Sequence, residues 1–325
     1  MRLGAASGTE RAGAKAGGLR ARLFGAAAPD ARRAAPGVIL MLVGPAMVVY
    51  LAFTLYPVLR TAWNSLHTVK AGGVTLWVGL RNFDELLTQD HVFWVAVGNT
   101  AIFTVVATIV DVLGGLLLAF SLYVKVPFAR LLRVVWFTPV LMSYVVVGVI
   151  WVWIFDFDWG VLNSVLRWLG LGDLAQSWLG DPDWALWAVM VAHVWKWFGF
   201  NMIIFLAALY ALPAEVLGAA ELDNCGGFGK LVYIIIPMLR PTIVNLLVLS
   251  FIGKMMIFDL IWIMTGGGPL WSTETVSTYV YKRAFDWNTF DLGYPSAIAV
   301  VWCAMILLFV LLMTRLLRQR ERLEF

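Results

Sequence analysis

Charged side chains are scarce in this sequence of 325 residues, although membrane-seeking side chains are plentiful. Asp, Glu, Lys and Arg together make up 14% of the chain, whereas hydrophobic residues make up 61%. A water-soluble protein of that composition would be covered in apolar surface, so the balance predicts a membrane protein instead. The 17 tryptophans agree with this prediction, because indole rings favour the two interfaces of a bilayer.

Cysteine and histidine are too few and too scattered to form a reactive centre. The two cysteines, Cys225 and Cys303, suggest neither a disulfide framework nor a metal site. The three histidines, His67, His91 and His193, show no metal-ligand spacing. No nucleophile, general base and orienting group occur at a recognisable spacing. The sequence therefore predicts a protein that is not an enzyme, holds no metal and binds no nucleic acid.

A glycine-rich run, residues 226–231, superficially suggests a phosphate-binding loop. Asn224 replaces the first glycine that such a loop requires, and Leu231 stands where a Ser or Thr would hold magnesium. If ATP drives this protein, we expect that another chain binds it.

Six stretches are apolar enough to cross a membrane as helices, which takes about twenty residues each. They lie at approximately residues 36–57, 92–122, 132–155, 184–211, 241–264 and 294–314. The sequence thus predicts an all-α integral membrane protein with six transmembrane helices in one domain, residues 36–320. Residues 1–35, rich in Gly, Ala and Arg, are expected to form a disordered basic cytoplasmic tail.

The distribution of Lys and Arg predicts the orientation of these helices. With the N terminus inside, the inner segments carry sixteen of the 24 basic residues and the outer loops carry six. Cytoplasmic loops hold the excess of basic residues in membrane proteins. Both termini and the loop 212–241 are therefore expected in the cytoplasm, and the loop 156–183, with five Asp and one Arg, is expected outside.

The segment Leu212–Pro241 is a polar interruption between two apolar stretches, and its pattern predicts helix, tight turn, helix. Pro213 suits the first turn of a helix, and Glu215 lies near the positive end of that helix's dipole. Gly226 and Gly227 permit a reversal of the backbone before the apolar spacing resumes. Small residues at 218–220 would let a partner approach closely; a helix that merely lies on the bilayer is the alternative.

This segment resembles the cytoplasmic coupling loop of ABC importer membrane subunits. Gly218 replaces the Glu of that pattern, and Asn224-Cys225 replace its Gly-Ala. The matching residues are Ala219, Ala220, Asp223, Pro237 and Pro241. The resemblance implies that the helix docks on a cytoplasmic ATPase. The residues that it assigns to coupling are Glu215, Gly218, Ala219, Ala220, Asp223, Asn224 and Gly226.

The last third of the chain is similar to one group of these importers. The runs 258–261, 264–269 and 272–275 read FDLI, MTGGGP and STET, and look like the membrane subunits of carbohydrate ABC importers of the maltose and glycerol-phosphate type. This resemblance implies a type I (MetI-like) permease fold in a bacterial inner membrane. It also implies a carbohydrate substrate, a second permease subunit, two ATP-binding subunits and an extracytoplasmic solute-binding protein. ATP and Mg²⁺ would be bound by the ATP-binding subunits, so we expect no cofactor in this chain.

In such subunits the sugar lies mid-membrane, between the spans that precede and follow the coupling loop. The resemblance carries this role to His193, Lys196, Trp197, Phe200, Ser250, Lys254 and Ile257. Each of the two sets recurs at the spacing of one helix face. Helix packing with interface-seeking tryptophan is the alternative explanation for each of these residues.

Four charges lie within the apolar stretches: Asp111, Lys196, Lys254 and Asp259. A charge at mid-bilayer costs about 2.5–3.5 kcal/mol on insertion scales, so these side chains should face protein or water. They leave open a stand-alone secondary transporter driven by an ion gradient, and a membrane-anchored scaffold is a third interpretation. Because Lys196 and Lys254 have no visible counter-charge, an acidic sugar also remains open as the substrate, although a neutral oligosaccharide is the main expectation.

Overall fold

The computed structural model describes residues 36–69, 75–124, 126–222, 225–286 and 291–318. The predicted tail, residues 1–35, lies outside the described residues, as do Asp223 and Asn224 of the predicted coupling set. The chain divides into two compact units, Met1–Arg60 and Thr61–Phe325.

The first unit is helical where it is described. Helix α1 (Pro36–Tyr50) continues through a π-helical turn (Leu51–Leu55) into α2 (Tyr56–Asn64), in which the second unit begins. The stretch Leu40–Asn64 is long and apolar enough to cross a membrane, and it corresponds to the predicted span at residues 36–57.

The second unit opens with a small hairpin. Strands β1 (His67–Val69) and β2 (Thr75–Trp77) pair antiparallel, with His67 opposite Trp77. Helix α3 (Arg81–Thr88) follows, and its Asn82 amide donates to the carbonyl oxygens of Ser65 and His67 at 2.8 and 3.1 Å. This hairpin is a small exception to the all-α prediction.

Twelve further helices complete the described part of the second unit. They are α4 (His91–Tyr123), α5 (Ala129–Leu141), α6 (Tyr144–Ile154), α7 (Val161–Trp168), α8 (Ala185–Tyr210), α9 (Ala214–Leu222), α10 (Gly227–Lys230), α11 (Ile236–Met238), α12 (Arg240–Met255), α13 (Asp259–Met264), α14 (Val276–Tyr281) and α15 (Gly293–Arg318). A 3₁₀ turn lies at Gly172–Leu174, and π-helical turns lie at Leu231–Ile235 and Lys282–Asp286.

The helices agree with the prediction of a multi-pass membrane protein. Within the described ranges, four helices are long and apolar enough to cross a bilayer, or up to six if each of two bent pairs is one span. One pair is α5 with α6, bent by 105°; the other is the segment Gly227–Met238 with α12, bent by 73°. The predicted fifth span, residues 241–264, is in fact α12, a break and the short helix α13.

The break between α5 and α6 is stabilised by a lysine from another helix. The Lys196 ammonium of α8 donates to the carbonyl oxygens of Pro139, Val140 and Met142 at 3.4, 3.1 and 2.5 Å. Helical hydrogen bonding is interrupted here, and unpaired carbonyl groups are costly away from water. Nearby, a Cβ added to Gly199 would lie 2.0 Å from the Trp136 carbonyl oxygen, so α8 can approach α5 this closely only with glycine at that position.

The break between α12 and α13 is stabilised in the same way by two other elements. The Trp302 indole N–H of α15 donates to the Met255 carbonyl oxygen at 3.1 Å. The Thr275 hydroxyl, at the start of α14, donates to the Ile257 carbonyl oxygen at 3.2 Å. At both breaks, side chains from other elements thus satisfy backbone carbonyl groups that the helices leave free.

A carboxylate joins three helices at their predicted outer ends. Asp90 caps α4 by accepting from the Phe93 backbone N–H at 3.0 Å. Its other carboxylate oxygen accepts from the hydroxyls of Tyr279, on α14, and Tyr294, on α15, each at 2.5 Å. These bonds fix the outer ends of the three helices relative to one another.

The glycine-rich motif after α13 folds around a buried ion pair. Gly267 has φ +88°, and a Cβ there would lie 2.0 Å from Glu274 Oε2. The Glu274 carboxylate, which is fully buried, pairs with the Lys282 ammonium. Burial raises the pKa of Glu274 above its ordinary value, and the hydrogen bond from Lys282 opposes that rise. The motif therefore has a structural explanation at Gly267, where any side chain would meet this pair.

Candidate functional site

A cavity of about 120 Å³ lies between α6, α8 and α12. It adjoins both helix breaks, because α6 begins directly after the first break and α12 ends directly before the second. The lining residues are Tyr144, His193, Trp197, Phe200, Asn201, Leu246, Leu249, Ser250, Gly253 and Lys254.

Aromatic rings form the α8 side of this cavity. His193, Trp197 and Phe200 recur at the spacing of one helix face. The rings of His193 and Trp197 are stacked with centroids 6.5 Å apart, and those of Trp197 and Phe200 meet edge to face at 5.6 Å. The Trp197 indole N–H donates to the Tyr144 hydroxyl at 2.9 Å. The hydrogen bond fixes the indole relative to α6, so the aromatic wall is held in one arrangement.

The Lys254 charge is neutralised within this chain. Its Nζ lies 2.8 Å from Oδ2 of Asp111 on α4, and the two side chains are 4% and 0% exposed. A buried ammonium requires a partner of opposite charge, and Asp111 supplies it. The cavity therefore carries no net charge from this pair.

Two buried polar atoms on the cavity wall are unpaired. Within the described residues, His193 Nδ1 and Asn201 Oδ1 have no hydrogen-bond partner. The two side chains are only 4% and 1% exposed. A buried polar atom without a partner costs about 1–3 kcal/mol. Asn201 Oδ1 can accept a hydrogen bond, and His193 Nδ1 can accept or donate according to its tautomer, so both atoms suit a hydroxyl-rich solute.

The structure brings most, but not all, of the predicted pathway residues together. His193, Trp197, Phe200, Ser250 and Lys254 line the cavity. Lys196 does not line it, because its ammonium is held by the carbonyl groups of the first break. Ile257 does not line it either, because α12 ends at Met255 and the helical spacing stops there.

Five residues that line the cavity were not among the predicted pathway residues: Tyr144, Asn201, Leu246, Leu249 and Gly253. Asp111, which neutralises Lys254, was not among them either. Asn201 lies next to Phe200 on α8, and that proximity is the sequence signal that could have found it. Tyr144 reaches the cavity because the chain breaks before α6, and no periodic pattern reveals such a break.

The predicted coupling residues lie on and after α9. Glu215, Ala219 and Gly226 are exposed, and Gly218 is half-buried. Ala220 is only 5% exposed, and its carbonyl oxygen accepts from the Cys225 N–H at 2.9 Å. Ala220 therefore packs within this chain, and the docking of these residues on a partner stays a prediction.

Large apolar side chains near α9 are exposed instead. Leu222, at the end of α9, is 90% exposed, and Phe228, on α10, is 78% exposed. Two exposed apolar side chains close together in sequence suit a surface that another molecule covers.

Several known proteins are similar to this chain in sequence or in fold. The lactose transport system permease protein LacF of Rhizobium radiobacter is 34% identical over 87% of this chain and 94% of its own length. The sulfoquinovosyl glycerol transport system permease protein SmoG of Agrobacterium fabrum is 30% identical over 87% and 91%. The structure of a bacterial alginate ABC transporter, solved with an alginate pentasaccharide-bound periplasmic protein, matches with a TM-score of 0.78 at 21% identity, covering 88% of this chain and 95% of that one.

Residues 111–323 match the family described as the binding-protein-dependent transport system inner membrane component. This match supports an ABC importer rather than the ion-gradient transporter that the intramembrane charges left open, and it agrees with the prediction of a transport subunit that is not an enzyme. The chain therefore belongs to this family of inner-membrane components, the permease subunits of ABC importers.

Proposed function

We propose that this chain forms one wall of the translocation pathway for a sugar, delivered by an extracytoplasmic binding protein. The observation that carries the proposal is the cavity, where stacked aromatic rings adjoin the unpaired atoms His193 Nδ1 and Asn201 Oδ1. Aromatic rings pack against the C–H faces of a sugar, and buried polar atoms pair with its hydroxyls. The relatives named for lactose and sulfoquinovosyl glycerol transport support the same substrate class.

A neutral sugar is the substrate that the charges favour. Two uncompensated lysines would have called for an acidic cargo. Lys254 is instead paired with Asp111, and Lys196 is surrounded by carbonyl oxygens. An anion in the cavity would have to compete with Asp111 for Lys254, at the cost of leaving a buried carboxylate unpaired. Alginate, the cargo of the structural neighbour, is an acidic polysaccharide, so the acidic alternative is included in the test below.

A second permease subunit would supply the opposite wall. Small-molecule sites are typically about 300–1,000 Å³. The cavity in this chain is about 120 Å³, too small to enclose a disaccharide. We therefore propose a heterodimer in which the sugar lies between this chain and a similar subunit.

Two cytoplasmic ATPase subunits would bind ATP and Mg²⁺ and drive transport. We propose that α9 docks on one of them through its exposed side, with Leu222 and Phe228 covered by that subunit. A helix that moves as a rigid body can transmit closure of the ATPase pair to α8 and α12, between which it lies in sequence. This role also requires the predicted orientation, with α9 in the cytoplasm.

Uptake into proteoliposomes tests the proposal. The chain is reconstituted with a second permease subunit, ATPase subunits and a binding protein from the same organism, and uptake of lactose, maltose and an alginate trisaccharide is measured with ATP inside. We expect ATP-dependent uptake of a neutral sugar, reduced at least tenfold by His193→Ala or Asn201→Ala. Asn245→Ala, an exposed residue on α12 outside the cavity, is the matched control.

Three results would contradict parts of this proposal. If no sugar enters, the substrate class is wrong. If this chain alone transports along an ion gradient, the importer assembly is wrong. If the alginate trisaccharide enters, the neutral sugars do not, and Lys254→Ser abolishes that uptake, the substrate is acidic.

A further inference from the structure

Four aromatic rings form a continuous ladder on the predicted outer side of the second break. Phe258 stacks on Trp262 with centroids 5.7 Å apart and planes 12° apart. Tyr281 meets both rings, at 5.3 Å from Phe258 and 4.8 Å from Trp262. Phe285 continues the series at 5.3 Å from Tyr281. The ladder thus runs from the second break, where Phe258 lies, to the π-helical turn that follows α14.

The outer half of this ladder is open. Tyr281 is 38% exposed and Phe285 is 68% exposed, whereas Phe258 and Trp262 are half-buried. Aromatic side chains that bury one face and present another are a frequent feature of ligand sites. An open aromatic face in a membrane protein could equally be covered by lipid, so its surroundings decide between the two.

Asp259 gives this face a polar edge. It follows Phe258 directly, is exposed, and has no ion-pair partner among the described residues. It lies within the predicted fifth span, where a charge in contact with lipid is costly. A carboxylate without an ion-pair partner favours water or polar groups over lipid, so the Asp259 edge of the ladder suits the wall of a solute pathway.

Packing between helices connects the ladder to the cavity. Helix α13 packs closely on α6, where a Cβ added to Gly148 would lie 2.6 Å from Ile263 Cγ2, and Tyr144 at the start of α6 lines the cavity. On the other side of the second break, Lys254 also lines it, four residues before Phe258. The ladder and the cavity thus lie next to each other.

We propose that Phe258, Trp262, Tyr281 and Phe285, together with Asp259, form a second carbohydrate-contact site on the outer side of the cavity. The rings would pack against the C–H faces of successive sugar units, and Asp259 would accept hydrogen bonds from their hydroxyls. This inference rests on the proposed function and adds a consequence of its own. A longer oligosaccharide contacts ladder and cavity together, whereas a disaccharide in the cavity does not reach the outer rings.

The experiment therefore varies the length of the sugar. The assembled importer is reconstituted in proteoliposomes, and the KM of uptake is compared for lactose, maltose and maltotetraose. In Trp262→Leu we expect the KM for maltotetraose to rise about three- to tenfold, the size of one lost aromatic contact. The KM for disaccharides changes less than twofold. Trp262→Phe keeps an aromatic ring, so its KM for maltotetraose should be close to that of the parent protein. Asp259→Asn should raise the KM for maltotetraose but not the KM for disaccharides.

Two controls separate this site from the rest of the protein. Trp153→Leu removes an exposed tryptophan from α6, 58% exposed and outside the ladder, and leaves every KM unchanged. Basal ATP hydrolysis by the assembled complex, equal in all variants, shows that each is folded and assembled. If maltotetraose is transported and its KM in Trp262→Leu equals that of the parent protein, or all sugars are affected alike, the ladder site is refuted while the proposed function stands. If none of the three sugars is transported, the proposed function fails and the ladder site fails with it.

Discussion

Lys254 and Asp111 form a buried ion pair between α12 and α4, with Nζ 2.8 Å from Oδ2. Removing one member of such a pair leaves an uncompensated buried charge, which costs about 3–5 kcal/mol, whereas replacing both by apolar residues is often nearly neutral. We expect Lys254→Met and Asp111→Leu each to lower the thermal midpoint of the purified protein. The double variant should recover most of that loss. A double variant as unstable as the sum of the two single variants would show that the pair does not couple these helices.

The second prediction concerns the break between α5 and α6. Lys196→Met removes the ammonium that donates to the Val140 and Met142 carbonyl groups, at about 1–3 kcal/mol for each buried group that stays unpaired, whereas the Pro139 carbonyl keeps the Met142 N–H. We expect a lower thermal midpoint for this variant and a smaller loss for Lys196→Arg, since a guanidinium also donates several hydrogen bonds. Equal stability of Lys196→Met and the parent protein would mean that the break needs no ammonium.

The third prediction uses two neighbouring glycines. Gly266 and Gly267 both have positive φ, at +58° and +88°. A Cβ at Gly266 meets nothing within 4 Å, whereas at Gly267 it would lie 2.0 Å from Glu274 Oε2. Gly266→Ala should lower the free energy of unfolding by about 1–2 kcal/mol, the cost of the left-handed backbone conformation alone. Gly267→Ala should cost clearly more, measured as the fraction of protein that stays monodisperse after heating. Equal losses would show that the Glu274–Lys282 pair shifts freely.

The fourth prediction concerns coupling to the ATPase. Ala219 is exposed on α9, whereas its neighbour Ala220 is 5% exposed. Ala219→Trp and Leu222→Ser should lower substrate-stimulated ATP hydrolysis of the assembled importer without changing the stability of this chain. Ala220→Trp should destabilise the chain itself, because the indole would be forced into its own packing. If Ala219→Trp hydrolyses ATP at the parent rate, that side of α9 does not dock.

The fifth prediction tests the orientation, which rests on the distribution of basic residues. In a Cys225→Ser, Cys303→Ser background, a cysteine replacing Leu171 should react with an impermeant thiol reagent from outside the cell. A cysteine replacing Phe228 should react only after the membrane is opened. Both positions are exposed, at 46% and 78%, so access rather than burial decides the result. The opposite labelling would invert the orientation and remove the basis for the coupling role.

Helical periodicity predicted one side of the cavity well. His193, Trp197 and Phe200 fall within about 60° of one another on a helix with 3.6 residues per turn. Lys196 falls at the edge of that stripe, about 60° from His193, and from there it reaches the carbonyl groups of the neighbouring helix. Spacing alone does not separate the centre of a helix face from its edge.

Periodicity failed where the helix itself ends. Ile257 was placed by continuing the spacing of α12 past Met255, but the chain breaks there and α13 begins at Asp259. Similarly, the partner of Lys254 lies on α4, and a contact between residues so far apart in sequence leaves no local pattern.

The two breaks also bear on how the chain enters the membrane during synthesis. Lys196 follows Met142 by 54 residues, so α5 and α6 emerge from the ribosome well before the ammonium that stabilises their junction. In lipid, the carbonyl groups alone and the lysine alone are each unfavourable, but together they satisfy each other. We therefore expect the third and fourth spans to leave the insertion machinery as a pair. The fifth span depends on the sixth in the same way, because the Trp302 indole, which donates to the Met255 carbonyl oxygen, follows that residue by 47 residues.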